Sequence, residues 1–107
     1  MMTTAEKIAY VQAIVDDPEA TDALVRIYLG KAKSQVFGIM YAAGGKPDSV
    51  TEVPERYEYT QCDLAIWHFL HRGGEGELSH SENGIARKYA SANADEILRE
   101  VNQVIRL

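Results

Sequence analysis

Pro54-Glu55-Arg56-Tyr57-Glu58-Tyr59-Thr60-Gln61-Cys62-Asp63-Leu64-Ala65-Ile66-Trp67-His68-Phe69-Leu70-His71-Arg72-Gly73-Gly74 is the stretch on which the fold turns. Proline suits the first position of a helix, where its missing N–H costs nothing. The pattern predicts a helix over 54–72 that stops at the glycine pair. Tyr59, Cys62, Ile66, Phe69 and Leu70 share one face, while Tyr57, Leu64 and Trp67 point elsewhere. A helix that is apolar in more than one direction is a central one, buried from several sides.

Two helices are expected before it. The first runs over 4–16. Thr3 and Glu6 have the spacing of a capping box, in which side chains satisfy two amides that the helix start leaves unpaired. Ile8, Val11 and Val15 fall on one face with Ile14 beside them. Asp16-Asp17-Pro18 ends the element, because the residue before proline avoids the helical region. The second helix runs over about 21–41, with Thr21 as N-cap and Asp22 at the positive end of the helix dipole. Leu24, Val25, Tyr28, Leu29, Ala32, Val36, Ile39 and Met40 make its broad apolar stripe, and Arg26, Lys33 and Phe37 lie away from it. Gly38 marks either the end of this helix or a close helix contact. The run Gly44-Gly45-Lys46-Pro47-Asp48 reads as a loop.

Beyond the central helix, residues 73–91 are rich in glycine and poor in apolar groups. Asn83-Gly84 suits a type I′ turn joining short strands at 78–82 and 85–89. Gly73, Gly74, Gly76 and Gly84 lose the most backbone entropy on ordering, so this segment is expected to become ordered with a partner. A last helix opens near Asn93, with Glu96 at capping distance. Ala94, Ile97, Leu98, Val101, Val104 and Ile105 form a stripe that reaches the end of the sequence. The fold class expected is mainly α: a small helical bundle of about four helices, with a Gly-rich loop or short β-hairpin before the last. The 107 residues fit one domain, 1–107. A chain of roughly 100 residues hides only about two-thirds of its unfolded surface, so burial against partners would add to its stability.

Composition narrows the function classes. Sixteen acidic and 11 basic residues leave a net charge of −5, which opposes tight binding to a phosphate backbone. The longest apolar runs are a few residues, such as 39–43, too short for a membrane span. No basic segment followed by an apolar stretch opens the sequence, so no secretion signal is expected. The single cysteine, Cys62, admits no intrachain disulfide, in keeping with a reducing cytosol.

Catalytic patterns are weak. His68 and His71 are three apart on a helix, so both can face one ion, and His80 or Cys62 could complete a metal set. The spacing nevertheless lacks the His-Glu-x-x-His arrangement that pairs ligands with a general base. Ser79, His80 and Ser81 are neighbours, but adjacency is not a triad. Gly73-Gly74-Glu75-Gly76 follows a helix instead of opening one and carries a carboxylate where an anion would sit. Arg87 and Lys88, beside Tyr89, are too few for a nucleic-acid patch. No catalytic, metal or cofactor site is expected. The alternatives are a small metal-binding enzyme or sensor using His68 and His71, and a helical protein-interaction module.

A resemblance covers nearly the whole chain. Val53-Pro54-Glu55-Arg56-Tyr57 opens a helix, an aromatic-rich run ends in His71-Arg72-Gly73-Gly74-Glu75-Gly76, and Ser79-His80-Ser81-Glu82-Asn83-Gly84-Ile85-Ala86-Arg87-Lys88-Tyr89 follows. This combination resembles the head–tail connector (adaptor) family of tailed bacteriophages, sometimes labelled DNA-packaging proteins. The resemblance implies a structural subunit of the virion, assembled in the bacterial cytoplasm and sited at the head–tail junction. It also implies partners: the portal protein, neighbouring copies in a ring that is dodecameric in the particle, and the next head-completion or tail protein. DNA would pass through the channel without specific binding. Family members often carry a tail beyond the last helix that reaches the portal, whereas this sequence stops at Val104-Ile105-Arg106-Leu107. Protein contacts are expected at Glu82, Asn83, Gly84, Arg87, Lys88 and Tyr89, and along Ile97, Val101, Val104 and Ile105.

Overall fold

The computed structural model describes residues 1–72 and 93–104. It is mainly helical. Helix α1 spans Thr4–Val15, α2 spans Asp22–Met40, a 3-10 turn covers Glu55–Tyr57, α3 spans Glu58–Leu70 and α4 spans Ala94–Leu98. The segments expected to form the Gly-rich break and the Asn83-Gly84 hairpin lie outside the described residues.

Local chemistry sets the helix starts. Thr3 Oγ1 accepts from the Glu6 amide at 3.1 Å, and the Thr3 amide donates to Glu6 Oε1 at 2.9 Å, which completes the capping box. Asp16 closes α1 in the left-handed region, φ 48° and ψ 52°, a conformation that its short polar side chain tolerates. Thr21 caps α2 by accepting from the Leu24 amide at 3.3 Å. Pro54 stands one residue further out than its expected position inside the helix. Its ψ of 152° is extended, and its carbonyl accepts from the Tyr57 amide at 2.8 Å. That bond winds the first turn as 3-10 before α3 begins.

Helix α3 packs against α1, α2 and α4 and divides the interior into two clusters. On one side Cys62, Ala65, Ile66, Phe69 and Leu70 meet Ile8, Val11 and Val15 of α1 and Val25 and Leu29 of α2. On the other, Leu64 and Tyr57 meet Ala32, Val36 and Met40 of α2, with Val53 and Val101. Tyr59 departs from its expected place. It is 60% exposed and makes an edge contact with Tyr10 of α1 at 5.3 Å. Buried Glu58 and Cys62 both lie to one side of it on the helix surface, so the protected arc is shifted towards them and away from Tyr59.

The last helix is much shorter than its apolar stripe implied. It ends at Leu98, after which the backbone turns to bond the rest of the molecule. The Val101 amide donates to Leu98 O at 3.0 Å and the Val104 amide to Met40 O at 2.7 Å. The Asn102 amide donates to Tyr57 Oη at 3.0 Å. Valine and asparagine are weak helix formers, and tertiary acceptors satisfy the amides of Asn102 and Val104 instead.

Gly38 neither ends α2 nor admits a close neighbour. The helix continues to Met40, and a methyl group added at Gly38 would meet nothing within 4 Å. Gly38→Ala is therefore expected to raise the unfolding free energy by about 1 kcal/mol through helix propensity alone, measured as a higher urea midpoint at unchanged slope.

Candidate protein interface

Three of the residues expected at an interface are described. Val101 is buried in the second cluster, while Ile97 and Val104 pack half-buried against it. Glu82, Asn83, Gly84, Arg87, Lys88, Tyr89 and Ile105 lie outside the described residues. Beside Val104, the end of α2 and the following glycine loop leave a cleft of about 420 Å³ lined by Met40, Tyr41, Gly44 and Gln103. Gly44 has φ +86°, a turn that L side chains rarely adopt. The C-terminal segment is thus fastened to the body by its amides while its side chains border an open groove.

Of the histidines considered as metal ligands, His68 and His71 are engaged elsewhere, and His80 lies outside the described residues. His68 Nε2 lies 2.7 Å from Gln35 Oε1, and its ring stacks on Tyr28 at 6.0 Å. His71 Nδ1 lies 2.8 Å from the Trp67 carbonyl, and its ring stacks on Trp67 at 4.2 Å. Among the described residues no group of three His, Cys, Asp or Glu converges to hold a metal ion. Cys62 has no exposed surface, and burial pushes its thiol up to about 12, which removes the thiolate that nucleophilic or ligand chemistry needs.

Sequence inspection missed a second cluster. Lys7 is 4% exposed and donates through Nζ to Gln61 Oε1 at 2.6 Å. Gln61 Nε2 in turn donates to the Leu29 carbonyl at 3.0 Å. This chain of bonds crosses from α1 through α3 to α2 and satisfies polar groups that would be costly to bury unpaired. Glu52, in the segment before α3, lies 3.9 Å from Lys7 and 3.3 Å from Lys33. Together with Arg26 these side chains line a cleft of about 210 Å³. One signal for it was present in the sequence: Lys7 stands four residues before Val11 and eight before Val15, on the apolar face of α1. An ammonium in that position is either misplaced or held by a buried acceptor.

The described residues thus present an open groove beside Val104 and a charged cleft on a helical body. The match to known families is specific: the model for the Phage gp6-like head-tail connector protein family covers residues 12–104. The chain belongs to this family of bacteriophage head–tail connectors. No curated protein and no solved structure matches it.

Two expected outcomes follow from this geometry. Tyr57→Phe removes the acceptor of the Asn102 amide and should cost about 1 kcal/mol. Hydrogen exchange should speed up at residues 101–104 while the amides of α1 keep their protection. The second concerns pH. Burial holds His68 below its ordinary value of 6.5, with smaller contributions from Lys31 and His71. Below 6.5 the unfolded chain takes up a proton that the folded chain resists, so stability falls as pH drops towards the folded value. Urea midpoints measured across that window should fall in the wild type, and His68→Gln should make the fall shallower.

Proposed function

We propose that this chain is a non-enzymatic subunit of a ring that sits beneath the portal of a bacteriophage head. The ring would extend the DNA channel and offer a platform to the next head-completion or tail component. The observation that carries this reading is the family match over residues 12–104. The acidic balance, −5 over the chain, supports it physically. A channel wall of like charge lets DNA pass, because it does not neutralise phosphates or release their counterions. The size of the chain supports it too, since a small domain gains from burying surface against neighbours.

Partner contacts are assigned to the 82–89 stretch, to Ile97 and to the groove bordered by Gln103 and Val104. The amide contacts of residues 101–104 would keep that groove in shape while a partner segment enters it. Repeated head-to-tail contacts related by rotation close into a ring, and the particle is expected to carry a dodecamer. The subunit assembles in the host cytoplasm and stays in the virion at the head–tail junction.

Native mass spectrometry of portal complexes isolated with this protein, together with images along the channel axis, tests the reading. Twelve copies around the axis are expected. A single copy per portal, or a position away from the channel, would overturn it.

A further inference from the structure

The cleft lined by Lys7, Arg26, Gly30, Lys33, Glu52 and Gln61 is unusual in an acidic chain. Three cations face one carboxylate. Glu52 is within 4 Å of both Lys7 and Lys33, and Arg26 makes no ion pair with any described residue. Its helical neighbour one turn earlier, Asp22, is instead held by Gln12 Nε2 at 2.8 Å. Lys7 is nine-tenths buried with a neutral amide as its close partner. Gly30 lies between Arg26 and Lys33 along α2, and a methyl group placed there would meet nothing within 4 Å. The subunit's own packing therefore does not require that glycine, and a side chain there would occupy the cleft.

The opposite imbalance lies at the turn between α1 and α2. Asp16, Asp17, Glu19 and Asp22 gather there, and Asp16 and Glu19 are exposed. Their one cationic partner among the described residues is Arg72, 3.8 Å from Asp17 and 2.9 Å from Glu19. Basic cleft and acidic turn are built from different residues, with Asp22 standing one turn before Arg26 on α2.

We infer that the cleft of Lys7, Arg26 and Lys33 receives carboxylates from the α1–α2 turn of a second copy of this chain. Two different, complementary patches on each subunit make a heterologous contact, the kind that propagates head to tail and closes into a ring. Charge complementarity selects this occupant. Glu52 offsets one of the three positive charges and leaves two, which carboxylates of the turn can match between them, and the guanidinium of Arg26 suits a carboxylate by bidentate bonding. A DNA phosphate backbone would bring a dense row of charges against Glu52 and a net acidic subunit. The inference rests on the reading of the chain as a ring subunit, and the test separates the two.

The experiment counts copies on isolated portal complexes for the full-length wild type, for a cleft variant (Arg26→Glu/Lys33→Glu), for a turn variant (Glu19→Lys/Asp22→Lys), and for an equimolar mixture of the two variants. Each variant alone should lose incorporation by about tenfold or more, because like charges then meet at the contact. In the mixture each altered turn faces an altered cleft, or each native turn a native cleft, so incorporation should return. Gly30→Gln adds a steric arm: it should melt no lower than the wild type yet fail to assemble. Thermal unfolding of every variant confirms that it is folded.

Wild-type complexes with several copies and variants that incorporate normally would overturn the cleft contact and leave the ring reading standing. Loss in folded variants without rescue in the mixture would assign the cleft to a carboxylate of another protein and overturn self-docking. A single wild-type copy would overturn both. Retention of labelled duplex DNA by the wild type at physiological salt, abolished by Arg26→Glu/Lys33→Glu, would give the cleft to phosphate and likewise overturn the inference.

Discussion

Helix α3 is surrounded, and that constraint organises everything else. Its apolar residues serve two clusters at once, so the other elements must close around it on different sides. Burial also traps three of its polar side chains, Glu58, Thr60 and Gln61. Each must find a partner or cost free energy on the scale of a lost hydrogen bond. Each finds it in a different part of the chain. Glu58 accepts from the Met2 amide at 2.8 Å. Gln61 accepts from Lys7 and donates to Leu29 O. Thr60 donates to Glu100. Apolar contact brings the elements together, and these directional bonds set how the N-terminus, α1, α2 and the C-terminal segment are registered on α3.

The same arrangement explains how a small connector can be firm in its body and still offer surfaces. The C-terminal segment is held by backbone amides to Met40 O and Tyr57 Oη, bonds that leave side chains available at the groove. The Lys7–Gln61–Leu29 chain supports the floor of the charged cleft from inside the bundle. A cation held from behind in this way has little conformational freedom to lose when a carboxylate arrives, which favours binding over a free surface lysine.

Much of this was legible from residues alone. Capping chemistry is local, so Thr3 with Glu6, Thr21, and Asn93 with Glu96 could be read directly, and the cap hydrogen bonds are present. The apolar period located the buried faces of α1 and α2, and the many-sided pattern of 54–72 identified the central helix. The glycine loop at 44–45 followed from composition, and both glycines have positive φ.

Other features depend on what lies across space. Local pattern placed Tyr59 with the buried face, but the protected arc of α3 depends on which of its sides the other helices cover. The stripe from Ala94 onward was compatible with a long helix, yet Met40 O and Tyr57 Oη compete for its amides, and neither acceptor can be located from the stripe itself. Lys7 sits in an apolar register that sequence reads as an anomaly; only the approach of Gln61, far away in the chain, makes its burial tolerable. Likewise Arg26 and Lys33 read as solvated positions off the stripe until Lys7 and Glu52 are brought beside them. The sequence by itself determined the helices, their caps and the central place of α3, because those rest on short-range geometry and period. Tertiary structure alone decided which charges meet and where the last helix stops, because both depend on partners that only folding brings within a few ångströms.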